Sequence, residues 1–112
     1  MSNQSVDDIL DALGDRTRRL IVERLRAGPL PVGELAAGLP VGRPAVSKHL
    51  RVLAAARLVE HRSVGTRNVY TLAPEGFAEL RRWLESTWDR RLAAFADWMT
   101  TRAEGDRGGD RR

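Results

Sequence analysis

The chain has 112 residues, no cysteine and a formal net charge of +4, which allows one compact domain with a core but not two. The missing thiols exclude disulfides, thiolate nucleophiles and thiolate metal sites, and they fit a reducing compartment. No apolar run approaches the roughly 18 residues that span a bilayer, and the first ten residues carry acids where a signal peptide would carry bases, so no membrane association and a cytoplasmic location are expected.

In chain order, Ser5-Val-Asp-Asp8 has capping-box spacing and predicts a short helix to about Leu13, with Val6, Ile9, Leu10 and Leu13 on one side. Gly14 breaks it, and Asp15 is placed to cap a second helix over 16–26 whose inner stripe is Leu20, Ile21 and Leu25. Gly28-Pro-Leu-Pro31 then reads as a stop. Val32, Leu35, Ala36 and Leu39 recur at helical spacing, Pro40-Val-Gly42 turns the chain, and Arg43-Pro44 opens a helix to about Ala56 with Val46, Leu50 and Leu53 inward. Residues 58–64 and 67–72 alternate with period two around Gly65-Thr66, which predicts a β-hairpin.

From Glu75 to about Arg102 the apolar positions Phe77, Leu80, Leu84, Trp88, Leu92, Phe95 and Met99 step by three and four along one helix, and Trp83 and Trp98 widen the stripe. Residues 104–112 contain no apolar side chain and are expected to be a disordered tail, leaving 1–103 as the domain. The fold class is therefore mainly α with a small β-hairpin: a winged helix-turn-helix with an added long C-terminal dimerisation helix.

Charge is unevenly spread along this frame. Residues 1–15 hold four Asp and no base, whereas 41–72 hold six bases against Glu60 alone. A helix-turn-helix lays its second helix in the major groove of double-stranded DNA, and the outward face of 43–56 suits that task. Arg43 has the geometry for a bidentate guanine contact; Pro44 starts the helix beside it, and Ser47 is placed to meet a base or a phosphate. Lys48 and Arg51 suit phosphates. His49 lies beside the core stripe, where a hydrogen-bonded, half-buried histidine is the plainer reading and a phosphate contact the alternative. Arg62, Thr66 and Arg67 surround the hairpin turn and suit a minor-groove or phosphate contact, the plainer alternative being charges that protect an edge strand.

The last helix is too apolar to lie alone on so small a domain. Ile9, Leu10 and Leu13 of the first helix with Leu84, Trp88, Leu92, Phe95 and Met99 of the last would be buried in a two-fold homodimer, which sets two recognition helices about 34 Å apart on a pseudo-palindrome. An architectural DNA-binding protein and a winged-helix protein-interaction module are the competing readings. An enzyme is not expected: there is no cysteine, paired histidines, phosphate-cradling glycine loop or nucleophile with an evident base.

Three stretches carry a family likeness: Leu13-Gly-Asp-Arg-Thr-Arg-Arg-Leu-Ile21, Val32-Gly-Glu-Leu-Ala36, and Arg43-Pro-Ala-Val-Ser-Lys-His-Leu-Arg-Val-Leu53 with Leu58-Val59; the wing Val64-Gly-Thr-Arg-Asn-Val-Tyr-Thr-Leu72 also fits. Over about residues 6–100 the chain resembles the ArsR family of bacterial winged-helix regulators. The resemblance implies a dimer joined through the first and last helices, and repression by occupying a promoter. Pro31 and Gly42 stand where the family often has serine or threonine. Metal-responsive members sense through cysteines before the recognition helix or histidines on the last helix; this chain has neither, so the resemblance is to the metal-independent branch, with no cofactor or metal and with a small-molecule inducer left open. Asp89 and Asp97 of the last helix read as solvated charges.

Overall fold

Helix α1 spans Asn3–Leu13 and α2 spans Arg16–Leu25; strand β1, Leu30–Pro31, leads into α3, Val32–Ala37, and α4, Arg43–Ala55; β2, Val59–Val64, and β3, Arg67–Leu72, precede α5, Pro74–Gly108. This order comes from a computed structural model that describes residues 3–108. Two units are distinct in it, residues 1–80 with the core and residues 81–112 with the remainder of α5.

Local chemistry accounts for most of the boundaries. Asp15 caps α2 as expected, its carboxylate accepting from the Arg18 backbone N–H at 3.0 Å. Ser5, in contrast, lies inside α1, which begins at Asn3, three residues earlier than the Val6 start that the capping-box spacing implies. Pro44 sits in the first turn of α4, where the absent N–H has no intrahelical partner to lose. The backbone of 104–108 continues α5, so the expected disordered tail is helical over that stretch, and 109–112 lie outside the described residues.

The core is the inner face of four helices. Ile9, Ile21, Leu35, Val46, Leu53 and Leu58 are fully buried, with Leu25 and Leu50 nearly so. The sequence reading puts Ile9 at the dimer interface, and the structure corrects this: its side chain is consumed by the chain's own core and has no surface left to offer. Leu10 next to it remains exposed, and Leu13 is half-buried against the core.

The sheet has three strands rather than the two of the expected hairpin. Its order is β1-β3-β2, antiparallel throughout. Leu30 pairs with Tyr70 and Pro31 with Val69 on one edge of β3, while Val59 to Val64 pair with Leu72 to Arg67 on the other. The Gly-Pro-Leu-Pro run that reads as a stop is also an edge strand, a position proline tolerates because its missing N–H need not face a neighbour. The turn of the hairpin is made possible by Gly65, whose φ of +65° is a left-handed conformation.

Arg57 ends α4 in the left-handed region, with φ +62°. Its N–H reaches the Ala54 carbonyl at 2.9 Å and that of Leu58 reaches Leu53 at 2.9 Å, the paired bonds of a Schellman ending. The Arg57 carbonyl accepts from Gly76 N–H at 2.8 Å, and its guanidinium pairs with the buried carboxylate of Glu79. A β-carbon on Gly76 would collide with the Arg57 carbonyl oxygen and stand 2.7 Å from that of Ala56.

Two outcomes follow from these contacts. Gly76→Ala forces backbone apart rather than displacing a flexible side chain, so it should lower unfolding free energy by about 1–3 kcal/mol in urea titration, the ordinary scale of overpacking. The Arg18 backbone N–H, donating to the Asp15 carboxylate, holds its pKa below the ordinary 3.8. A depressed acid stabilises the fold above its unfolded pKa and stops doing so as pH falls through the folded value. The advantage of wild type over Asp15→Asn in urea midpoint should thus shrink on moving from about pH 7 to below 3.8.

Candidate nucleic-acid interface

Helix α4 turns Val46, Leu50 and Leu53 into the core, and helical geometry then leaves Arg43, Pro44, Lys48 and Arg51 away from that stripe. Arg43, Pro44, Lys48 and Arg51 are exposed, while Ser47 is half-buried along the flank. Among the described residues, none of Arg43, Lys48, Arg51 and Arg62 is held in an ion pair, so their charges are open to a polyanion.

The structure brings the start of α4 and the tip of the wing to one place. Arg43, Thr66 and Arg67 line an open cleft of about 370 Å³ together with Gly33, Glu34 and Asn68. The Arg43 guanidinium lies over Gly33, near enough that a β-carbon there would sit 3.8 Å from its Cζ. Across the cleft Arg67 Nη2 donates to Glu34 Oε2 at 2.9 Å, with both side chains more than half exposed. Arg62 belongs elsewhere: it lines a separate depression with Pro29, Ser63, Val64, Val69 and Thr71.

His49 is drawn toward the start of α2. Its Nδ1 lies 3.4 Å from Arg18 Nη1 and 4.0 Å from Asp15 Oδ2, and its side chain is only 21% exposed. Arg18 is itself braced, donating through Nε to the Ala12 carbonyl at 2.7 Å and through Nη2 to that of Asp11 at 3.2 Å. The histidine therefore ties the middle of α4 to the α1–α2 corner, the hydrogen-bonded placement that its position beside the core stripe implies.

Glu34 and Asn68 escape the sequence reading as members of this surface. Glu34 is 33 residues from its partner Arg67 in the chain, and no periodicity links them; the acidic residue reads from sequence as an ordinary first-turn glutamate of α3. Among the described residues no cluster of three or more histidine, aspartate or glutamate side chains is arranged to hold a metal ion.

The second unit presents the other candidate surface. Leu84, Trp88, Leu92, Phe95 and Met99 are each between 47% and 61% exposed and follow one face of α5. Phe95 stacks on Trp98 with ring centroids 6.0 Å apart, and the Arg102 guanidinium lies 4.9 Å over the Trp98 ring. No helix among the described residues is long and apolar enough to cross a membrane.

Comparison with known proteins agrees with this geometry. A helix-turn-helix domain family model matches residues 13–62. Over 103 residues the chain is 55% identical to the HTH-type transcriptional regulator Rv2034 of Mycobacterium tuberculosis, covering 92% of this chain and 94% of that protein. Among solved structures, an ArsR-like transcriptional regulator from Rhodococcus sp. RHA1 superposes with a TM-score of 0.73 at 36% identity, covering 85% of this chain and 92% of that one. The homodimeric winged helix-turn-helix DNA-binding domain of Mb0332 from Mycobacterium bovis, fragment 1–100, gives a TM-score of 0.64 at 29% identity over 80% of this chain and 82% of that one. With its helix-turn-helix, three-stranded wing and long last helix, the chain belongs to the ArsR family of winged helix-turn-helix transcriptional regulators.

Proposed function

We propose that the protein is a homodimeric repressor that binds a pseudo-palindromic operator in double-stranded DNA, acting in the cytoplasm by occupancy and without catalysis. The observation that carries this reading is the cleft where the first residue of α4 meets the wing tip, with Arg43 and Arg67 on its walls. A duplex docked on α4 would meet both at once, the helix in the major groove and the wing on the adjoining backbone.

Within that surface the roles divide by position. Arg43, at the leading end of α4, reads a base edge; Ser47 supports it from the half-buried flank, and Pro44 keeps the first turn rigid. Lys48 and Arg51, further along the helix, neutralise phosphates and set register. Thr66 and Arg67 hold the backbone from the wing. Arg62, in its separate depression, approaches the duplex only from the outer side of the wing. His49, tied to Arg18 and Asp15, orients α4 on the α1–α2 corner.

The dimer rests on the apolar face of α5. Patches of exposed large apolar side chains in a monomer mark contact surfaces, and a second copy offers the same stripe in return; Leu10 and Leu13 of α1 are further candidates for contact with the second copy. The homodimeric state of the Mb0332 domain supports this arrangement.

Three measurements test the proposal. Selection of bound duplexes from a random library at about 0.15 M salt should enrich an inverted repeat with half-sites about one helical turn apart; binding with no enriched motif would instead favour an architectural protein. Arg43→Ala should cost about 1–3 kcal/mol on the enriched duplex and relax preference at one base position, whereas Arg51→Ala should weaken all duplexes alike and flatten the salt slope by about 0.9; unchanged binding by both would overturn the assignment. In sedimentation, wild type should run as a dimer and Trp88→Ala with Leu92→Ala should shift it toward monomer, while far-UV circular dichroism should show the variant still folded because neither side chain lies in the buried core.

A further inference from the structure

Of the cations on the proposed reading surface, Arg67 alone is already engaged in an ion pair among the described residues. Its partner is a carboxylate, Glu34, brought across 33 residues of sequence to line the same cleft. A carboxylate oxygen and a phosphate oxygen are the same kind of acceptor for a guanidinium N–H, so Glu34 stands where a backbone phosphate would stand. Glu34 is held at that spot through its own main chain, where its carbonyl accepts from Arg24 Nη2 at 3.2 Å.

We propose that Glu34 is a built-in competitor for the phosphate at the wing: Arg67 rests on Glu34 in the DNA-free protein and must leave it to dock, so that wing docking is conditional on a duplex strong enough to displace the carboxylate. The inference rests on the DNA-binding reading above and adds a residue to it that opposes binding.

Magnitudes decide that the pair is displaceable rather than a permanent brace. Its side chains are 60% and 56% exposed and joined through a single N–H···O contact, and exposed pairs of this kind are weak and screened by salt. A duplex offers closely spaced phosphates and the release of condensed counterions for each one neutralised. An isolated anion or a poorly placed strand offers neither. The opposite reading, that Glu34 presents Arg67 to DNA, keeps this one contact and uses the remaining guanidinium donors for phosphate; it predicts weaker binding on loss of the carboxylate, where competition predicts tighter binding.

The test is a double-mutant cycle read by DNA binding at about 0.15 M salt, on the duplex enriched in the selection and on a random-sequence duplex of similar length. Glu34→Gln should tighten binding of the enriched duplex about two- to fivefold, the span of an exposed ion pair. Arg67→Ala should weaken it and flatten the salt slope by about 0.9. In the Arg67→Ala background, Glu34→Gln should have no effect. A gain that persists without Arg67 would mean general repulsion of DNA by the carboxylate and overturn the inference. So would weaker binding by Glu34→Gln, which would make it a positioning residue, or unchanged binding by Arg67→Ala. If wild type binds neither duplex, the DNA-binding reading itself falls, a result distinct from each of these. Both residues are exposed, so circular dichroism should show all variants folded.

Discussion

The junction at Arg57 is the constraint on which the rest of the protein turns. A left-handed conformation costs a residue with a side chain of the order of 1–3 kcal/mol, and glycine would occupy that position without penalty. Glycine, however, would leave the carboxylate of Glu79, which is 1% exposed, without the half-exposed guanidinium that reaches in to it from Arg57, and an unpaired buried charge is costly. The ion pair to Glu79 is what an arginine supplies at a position where the backbone alone would favour glycine. The same residue accepts the Gly76 N–H through its carbonyl, so the end of α4, the entry to β2 and the first turn of α5 are pinned by a single side chain and its backbone. The direction of the recognition helix relative to the wing is inherited from that knot.

Legibility from sequence followed the reach of the interactions. The period-3.6 stripes of α2, α3 and α4 and the period-two runs of the wing were readable because each is a local pattern facing one core, and Asp15 announced α2 through a cap three residues long. What escaped depended on partners distant in the chain. Strand β1 consists of two residues beside prolines, too short for any periodicity, and exists only because Tyr70 and Val69 present an edge to it. Ile9 reads as part of an exposed stripe with Leu10 and Leu13 until α1 docks and the core takes it. The cleft itself was half legible: Arg43, Thr66 and Arg67 stood out by charge and turn position, whereas Glu34 is an unremarked glutamate until the wing folds over it.

Two kinds of surface share the chain with little overlap. Among the described residues, the large apolar side chains left exposed are concentrated between Leu84 and Met99, while the unpaired cations of the helix-turn-helix and hairpin lie on α4 and the wing. Mixing the two would be costly in either direction, since a buried interface penalises unpaired arginines and a polyanion gains nothing from tryptophan stripes. The four aspartates of the first fifteen residues fall outside both sets, although one of them, Asp15, approaches His49 of α4.

The three-stranded sheet also sets where the wing can yield. Strand β3 is zipped on both edges at Tyr70, to Leu30 on one side and His61 on the other, but on the turn side of Val69 only β2 continues the backbone ladder, with the exposed Arg67–Glu34 ion pair as the tie to α3, and the chain between Ser63 and Asn68 is exposed along its whole length. The wing is thus a lever with a clamped root and a compliant end. On the proposed DNA-binding reading, adjustment to a narrower or wider groove would fall to the residues from Ser63 to Asn68 around Gly65, while the root, with the helix-turn-helix it borders, would keep its shape.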